Sequence, residues 1–212
     1  MLQINNHLHV STHPLLQHKM TILRNKGTET KKFRELIREI GTMLLVEATS
    51  DLPMVETFVE TPMGMAKCNR LSDRIGLVPI LRAGLGMVEG ALDMLPMCEV
   101  WHIGLYRDEK TLRPVEYYNK LPDKATVQVC IVLDPMLATG GSASATVSIL
   151  KRWGAERIKY VGIIGAPEGV ARMQNDHPDV QIYLGALDDK LNDIGYIVPG
   201  LGDAGDRQFG TG

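Results

Sequence analysis

Val127-Gln128-Val129-Cys130-Ile131-Val132-Leu133-Asp134-Pro135-Met136-Leu137-Ala138-Thr139-Gly140-Gly141-Ser142 runs directly into Ala143-Ser144-Ala145-Thr146-Val147-Ser148-Ile149-Leu150. A nearly continuous aliphatic run stops at an acid, crosses small residues and resumes with apolar residues at helical spacing, which predicts a buried strand, a turn and a helix. In the turn, Thr139-Gly140-Gly141-Ser142, no bulky Cβ prevents the backbone N–H groups from converging. The helix start that follows adds unpaired donors and a partial positive charge. Such a loop is suited to an anion, phosphate above all. Gly-Gly before a helix is also an ordinary turn, and the loop alone does not separate the two readings.

Composition narrows the classes. With 212 residues, 44% of them hydrophobic, the chain is long enough for one sizeable α/β domain. A formal net charge of −2 provides no long-range field for nucleic acid or an anionic membrane, so neither is expected as a partner. Cys68, Cys98 and Cys130 are odd in number and set among apolar neighbours, as reduced buried thiols are, which fits a cytoplasmic location. No apolar run reaches spanning length and no secretory signal opens the chain.

A second strand-loop-helix unit lies upstream. Ile75 to Ile80 reads as a buried strand, Leu81-Arg82-Ala83-Gly84-Leu85-Gly86-Met87 as its loop, and Val88, Ala91, Leu92 and Leu95 continue at helical spacing. Gly84-x-Gly86 has the start of a dinucleotide fingerprint, but Glu89 at the third glycine position would face an approaching pyrophosphate. Arg82 at a strand end can offer a guanidinium fork to phosphate oxygens; the alternative is an arginine held in a structural salt bridge. Asp134, the glycine loop and Arg82 all fall at strand ends, where open α/β sheets bind ligands.

The remaining segments are read around these two units. Phe33, Ile37, Ile40 and Leu44 mark an amphipathic helix within 28–49, with an apolar face open to self-association and a basic approach from Arg24 to Arg38. Val55 to Thr61 reads as a strand, and Glu99 to Tyr106 and Val115 to Leu121 read as two strands of a projecting hairpin with a charged tip. Arg107 stands where that hairpin meets its tip and is placed to reach inward. Arg157 to Gly165 reads as a buried strand, Pro167 to Asn175 as a short helix and Val180 to Leu184 as a strand, the alternation of a largely parallel sheet covered on both faces. His7, His9, His13 and His18 match no zinc spacing and read as surface or interface residues. The glycine-rich end, 188–212, carries Tyr196, Ile197, Val198 and Leu201 as anchors and reads as a loop whose main chain can meet a flat heterocycle edge-on.

Three motifs in one order carry a resemblance. Asp134 to Ser142 looks like the phosphoribosyl pyrophosphate loop of type I phosphoribosyltransferases. Together with Pro79 to Gly86 and Gly195 to Arg207, it resembles the uracil branch of that family along nearly the whole chain. Leu133 stands before Asp134, where many members of the wider family carry a second acid. The resemblance implies a type I phosphoribosyltransferase-like, mostly parallel sheet flanked by helices, as one domain over 1–212. It further implies an N-terminal extension over about 1–50, a β-hairpin arm over about 99–121 and a C-terminal hood over about 188–212.

It also implies roles. Pro135, Met136, Leu137, Ala138, Thr139, Gly140, Gly141 and Ser142 would form the donor loop, with Ala138 to Ser142 on the 5′-phosphate and Asp134 at the ribose hydroxyls. Arg82 and Arg107 would meet pyrophosphate. Ile197, Gly202 and Ala204 would meet uracil through the main chain, and Asp203 would lie near both the base and a magnesium ion carried by the donor and water. The implied reaction converts uracil and phosphoribosyl pyrophosphate to UMP and pyrophosphate, in a homodimer or higher assembly. GTP activation occurs among relatives, and Arg24 to Arg38 is the candidate segment for it, with a solvated helix face as the plainer account. Two other readings are a nucleotide-sensing regulator on the same fold and an oxidoreductase using Gly84-x-Gly86; Glu89 opposes the second.

Overall fold

The computed structural model describes residues 7–107 and 114–211, with the backbone alone at 107 and 114. In chain order the elements are β1 (Leu8–Val10), α1 (Pro14–Arg24), α2 (Thr30–Ala48), β2 (Met54–Thr61), β3 (Gly64–Leu71), β4 (Ile75–Leu81) and α3 (Leu85–Met94). There follow β5 (Glu99–Val100), β6 (Ile103–Arg107), β7 (Pro114–Asn119), β8 (Val129–Leu133), β9 (Met136–Leu137) and α4 (Gly141–Trp153). The chain closes with β10 (Arg157–Gly165), α5 (Pro167–Asp176), β11 (Gln181–Leu187), β12 (Lys190–Leu191), β13 (Ile197–Val198) and α6 (Ala204–Phe209).

The main sheet runs β1-β11-β10-β8-β4-β6-β7, with β5 beside β4 and β9 beside β10. Its pairings are parallel except β6 with β7, so the mostly parallel sheet expected from the sequence is present. Alternate residues of β8 enter different cores. Val129, Ile131 and Leu133 face Phe33, Leu36, Ile37 and Ile40 of α2 and Met87 of α3. Cys130 and Val132 face Val147 and Leu150 of α4 and Val170 and Met173 of α5. Burial on both sides explains why β8 reads as an unbroken aliphatic run rather than an alternating one. Leu133 is 1% exposed, so a second acid before Asp134 would place a carboxylate in this core.

The α2 stripe is consumed by this packing. Phe33, Ile37, Ile40 and Leu44 are all 0% exposed, which corrects the expectation that this apolar face is open to a partner. At the far end of α2, the wholly buried Lys159 donates to Ala48 O at 2.6 Å and pairs with Asp51. Burial tends to raise the Asp51 carboxyl, but the Lys159 ammonium outweighs it and holds the group below its usual range.

Three further differences have local causes. The strand expected over 99–106 is interrupted at Trp101 and His102, yet its two parts keep one register on β4, Gly76 opposite Glu99 and Ile80 opposite Ile103. β3 was not legible because it forms a separate ribbon with β2 that leaves both faces largely exposed, so its side chains follow no core-facing alternation. The histidines at 9, 13 and 18 are exposed, as the sequence leads one to expect; His13 caps α1 by accepting from Leu15 N–H at 3.2 Å, and His9 stacks on Tyr183 at 4.6 Å. Finally, the C-terminal glycine-rich stretch contains a helix, α6, in place of the uninterrupted loop expected. Among the described residues no helix is long and apolar enough to cross a membrane.

Candidate active site

From β4 the chain passes through α3 to β5 and β6 on one side; from β8 it passes through α4 to β10 on the other. The strand order therefore reverses between β4 and β8, and the crevice beyond their carboxyl ends is where such sheets bind ligands. Pro79 is paired with Leu133 across this junction, which sets Arg82 and Asp134 just beyond neighbouring strand ends.

Asp134 is half-buried, and its Oδ1 accepts weakly from Met136 N–H at 3.4 Å. Burial pushes its carboxyl up to about 7 against that single hydrogen bond. Beyond it, Asp134 and residues 136–143 enclose a cavity of 100 Å³, room for one small anionic group. Gly140 takes a left-handed φ of 74°, and a Cβ there would lie 2.8 Å from Gly169 O of α5, so the loop closes over α5 only with glycine. The phosphate-type loop expected at 138–142 is thus a shaped concavity at the N-terminus of α4.

Arg82 remains available. Its side chain is 60% exposed, and its closest acid, Asp206 Oδ1, stands 3.7 Å away, a loose pair in high dielectric. The Leu81–Arg82 and Val198–Pro199 peptide bonds are cis. Arg107 ends β6, but its side chain and the hairpin tip at 108–113 lie outside the described residues.

The C-terminal segment is fixed to the same crevice by contacts that local sequence pattern does not announce. Arg24 donates to both Asp188 oxygens at 2.7 and 2.5 Å and to Gly200 O at 2.9 Å, while Gly200 N–H donates to Asp188. Arg207 donates to the carbonyls of Leu23, Leu201 and Asn25 and lies 4.3 Å over the Phe33 ring. Gln208, fully buried, donates through Nε2 to Ala83 O in the Arg82 loop and to Ala204 O. Gly86 is needed for this contact: its Cβ would stand 1.7 Å from Gln208 Oε1, which is why the Gly84-x-Gly86 pattern here marks packing and not a dinucleotide turn.

Asp203 caps α6, its Oδ1 accepting from Asp206 N–H at 2.9 Å. Ile197 is buried at 4% exposure and Ala204 at 1%, main chain included, while Gly202 and Asp203 between them are exposed. The N–H groups of Gly202, Asp203 and Ala204 carry no hydrogen bond among the described residues. The basic segment is mostly committed internally: Arg24 as above, Lys32 to Glu35, Arg34 to Gln208 O and Arg38 to Asp93. A cleft of 440 Å³ between α2, α3 and α6 is lined by Lys31, Arg34, Arg38, Glu35 and Glu89, cations and acids together.

The model of the uracil phosphoribosyltransferase family matches residues 10–211. The chain belongs to this family. A uracil phosphoribosyltransferase of Roseiflexus sp. (strain RS-1) is 63% identical over 96% of the chain and 98% of the relative, and one of Acholeplasma laidlawii is 58% identical over 95% and 97%. The structure of the AQ2163 protein from Aquifex aeolicus superposes with a TM-score of 0.91 at 40% identity, covering 96% of this chain and 98% of that one. Adenine phosphoribosyltransferase from Trypanosoma brucei, at 12% identity and a TM-score of 0.54, shares the fold. Membership makes the chain a phosphoribosyltransferase of the pentosyltransferase class, with the type I fold read from its motifs.

Proposed function

We propose that this member of the uracil phosphoribosyltransferase family transfers the 5-phosphoribosyl group of phosphoribosyl pyrophosphate to N1 of uracil, giving UMP and pyrophosphate, as a pyrimidine salvage enzyme. The observations that support the reading are that Arg82 and the 134–142 loop follow paired strand ends, and that Gln208 ties the Arg82 loop to Ala204, beside N–H groups of 202–204 that carry no hydrogen bond among the described residues. The 5′-phosphate takes the 138–142 loop, with Pro135, Met136 and Leu137 carrying the chain into it, and Asp134 accepts from the ribose diol. Arg82, with Arg107, stabilises charge that develops on the leaving pyrophosphate while uracil attacks the opposite face of an oxocarbenium-like sugar. No covalent nucleophile is required.

Uracil presents acceptor, donor and acceptor across O2, N3–H and O4. Main-chain groups of Ile197, Gly202 and Ala204 match that order without a dedicated side chain, and cytosine, with two groups reversed, is rejected at a cost of about 1–3 kcal/mol per buried mismatch. The described residues hold no cluster of three metal-ligating side chains. Asp203, one oxygen of which is engaged as the helix cap, would hold magnesium, which takes one or two carboxylates and otherwise keeps phosphate and water oxygens. When bound, the ion supplies charge neutralisation at the pyrophosphate.

An assay of uracil, cytosine, orotate, hypoxanthine and adenine side by side with phosphoribosyl pyrophosphate tests the reading. UMP from uracil alone is expected; a purine preference, or no UMP, sinks it. The regulatory alternative fails on the same turnover.

Asp134 gives a pH prediction. Its carboxyl, raised to about 7 in the folded chain, holds a proton that the unfolded chain releases near about 4. Stability from this group is therefore full below about pH 4 and is lost as pH rises to about 7, by a few kcal/mol. Urea unfolding of Asp134→Asn should lack that decline; parallel pH profiles for variant and wild type would exclude a buried, proton-holding Asp134.

The assembly and setting also belong to this reading. The β2–β3 ribbon exposes Phe58, Met63 and Met65, and an isolated two-stranded ribbon is marginal without a covering surface, which supports a homodimer or higher assembly. Cys68, Cys98 and Cys130 are free thiols, and burial pushes Cys130 up to about 12, in keeping with the cytoplasm. For GTP, Lys26 and Lys31 are the cations of the basic segment left for an activator, so a site there needs residues from elsewhere.

A further inference from the structure

The first turn of α5 underlies the phosphate loop, and the next turn presents Arg172 to it. Arg172 Cβ is 3.2 Å from the point where a Gly140 Cβ would stand, and its Nη1 and Cζ are 3.4 and 4.0 Å from the corresponding point at Gly141. The stem of Arg172 therefore lies against Gly140 and its guanidinium against Gly141, on the α5 side of the loop. It is half-exposed and is not needed to fill the core.

A weak, half-exposed ion pair steers the side chain there. Arg172 Nε stands 3.5 Å from Asp176 Oδ2, one helical turn on. The same Asp176 oxygen accepts from Ser144 Oγ of α4 at 2.6 Å. His177, beside it, has Nε2 2.9 Å from Ser144 O and 3.3 Å from Ser148 Oγ, so α4 and α5 are tied at this point. The Ser144 hydroxyl and then, past the opposing effect of burial, the Arg172 guanidinium keep the Asp176 carboxyl below its usual range, so the anchor stays charged near neutrality.

An anion in the 138–142 cavity meets backbone N–H groups and the α4 dipole, both partial charges. Arg172 is a full positive charge against the same two residues. We propose that Arg172, paired with Asp176, is a positioning residue for donor binding, adding electrostatic affinity for the 5′-phosphate through the loop wall without entering the chemistry. The proposal rests on the assignment of that loop to the 5′-phosphate.

Ribose 5-phosphate and pyrophosphate, used as separate probes of the full-length protein, report the two ends of the donor. Arg172→Ala is expected to weaken ribose 5-phosphate about threefold to tenfold at low ionic strength while leaving pyrophosphate affinity unchanged. The KM for phosphoribosyl pyrophosphate should rise by a similar factor with kcat unaltered, and the difference should shrink as salt is raised. Arg172→Lys should recover most of the loss, since the effect is one of charge; Arg172→Gln, which keeps length without charge, should not. Equal ribose 5-phosphate affinity in Arg172→Ala and wild type overturns the proposal, as does an equal loss for both probes or full recovery with Arg172→Gln. Wild-type protein that binds pyrophosphate but not ribose 5-phosphate would overturn the loop assignment itself.

Discussion

Arg82→Ala is expected to lower kcat for UMP formation by about 10²–10³-fold while the KM for uracil changes little. The factor is that of removing one positioned donor from charge that develops in the transition state. The ground-state donor already carries charge that Arg82 meets, so some rise in the KM for phosphoribosyl pyrophosphate accompanies the loss, but the larger part falls on kcat because the leaving group gains charge as the bond breaks. In the free protein the guanidinium is 60% exposed and 3.7 Å from Asp206, so its removal leaves no buried partner and should hardly alter stability. That separates a catalytic effect from a folding one. Arg82→Lys should recover only part of the rate, because an ammonium cannot reproduce a two-pronged contact with adjacent phosphate oxygens. A variant with kcat within about threefold of wild type would remove Arg82 from the reaction.

Arg82 also shows how far the sequence could be read. Its place at a strand end followed from the aliphatic run before it, because both faces of β4 are covered and nothing interrupts the pattern. The same logic located Asp134 and the loop after β8. What could not be read was the tertiary reason for neighbouring residues. Gly86 has the look of a ligand-binding glycine, yet its missing Cβ is replaced by the amide of a residue at the other end of the chain. The Arg24–Asp188 pair and the contacts of Arg207 with Leu23 O and Asn25 O connect positions more than 160 apart in sequence, and a pattern with a local period contains no trace of them. α6 was missed for a different reason. Gly205 lies within it and Gly200, Gly202 and Gly210 flank it, while its one local signal, Asp203 accepting from the N–H of Asp206, is a cap of the ordinary kind. The ribbon β2–β3 has no core face and so leaves no core-facing pattern in its sequence.

Gly86→Ala should destabilise the protein, although helix propensity alone predicts a gain of about 1 kcal/mol for alanine in α3. The new Cβ would stand 1.7 Å from Gln208 Oε1 and 3.1 Å from Ile37 Cγ2, and Ile37 is wholly buried. Gln208 cannot simply turn its amide over, since Nε2 donates to both Ala83 O and Ala204 O and a reversed amide would set oxygen against two carbonyls. The amide must leave and give up its donations to the half-buried Ala83 O and the buried Ala204 O, a loss of about 1–3 kcal/mol that exceeds what the helix gains. The consequence for function follows from what Gln208 joins. Ala83 belongs to the Arg82 loop and Ala204 to the segment proposed to read uracil, so losing the amide uncouples the two. The KM for uracil should rise by about tenfold or more, with kcat falling because base and leaving group are no longer held in line. Gln208→Ala placed on top of Gly86→Ala removes the clash, so the double variant should be more stable than the sum of the two single losses predicts. Thermal unfolding of all three variants, read beside the KM for uracil, decides the matter. A higher melting temperature for Gly86→Ala would mean that the Gln208 contact does not hold the two loops together, and additive losses would mean that Gly86 and Gln208 act separately.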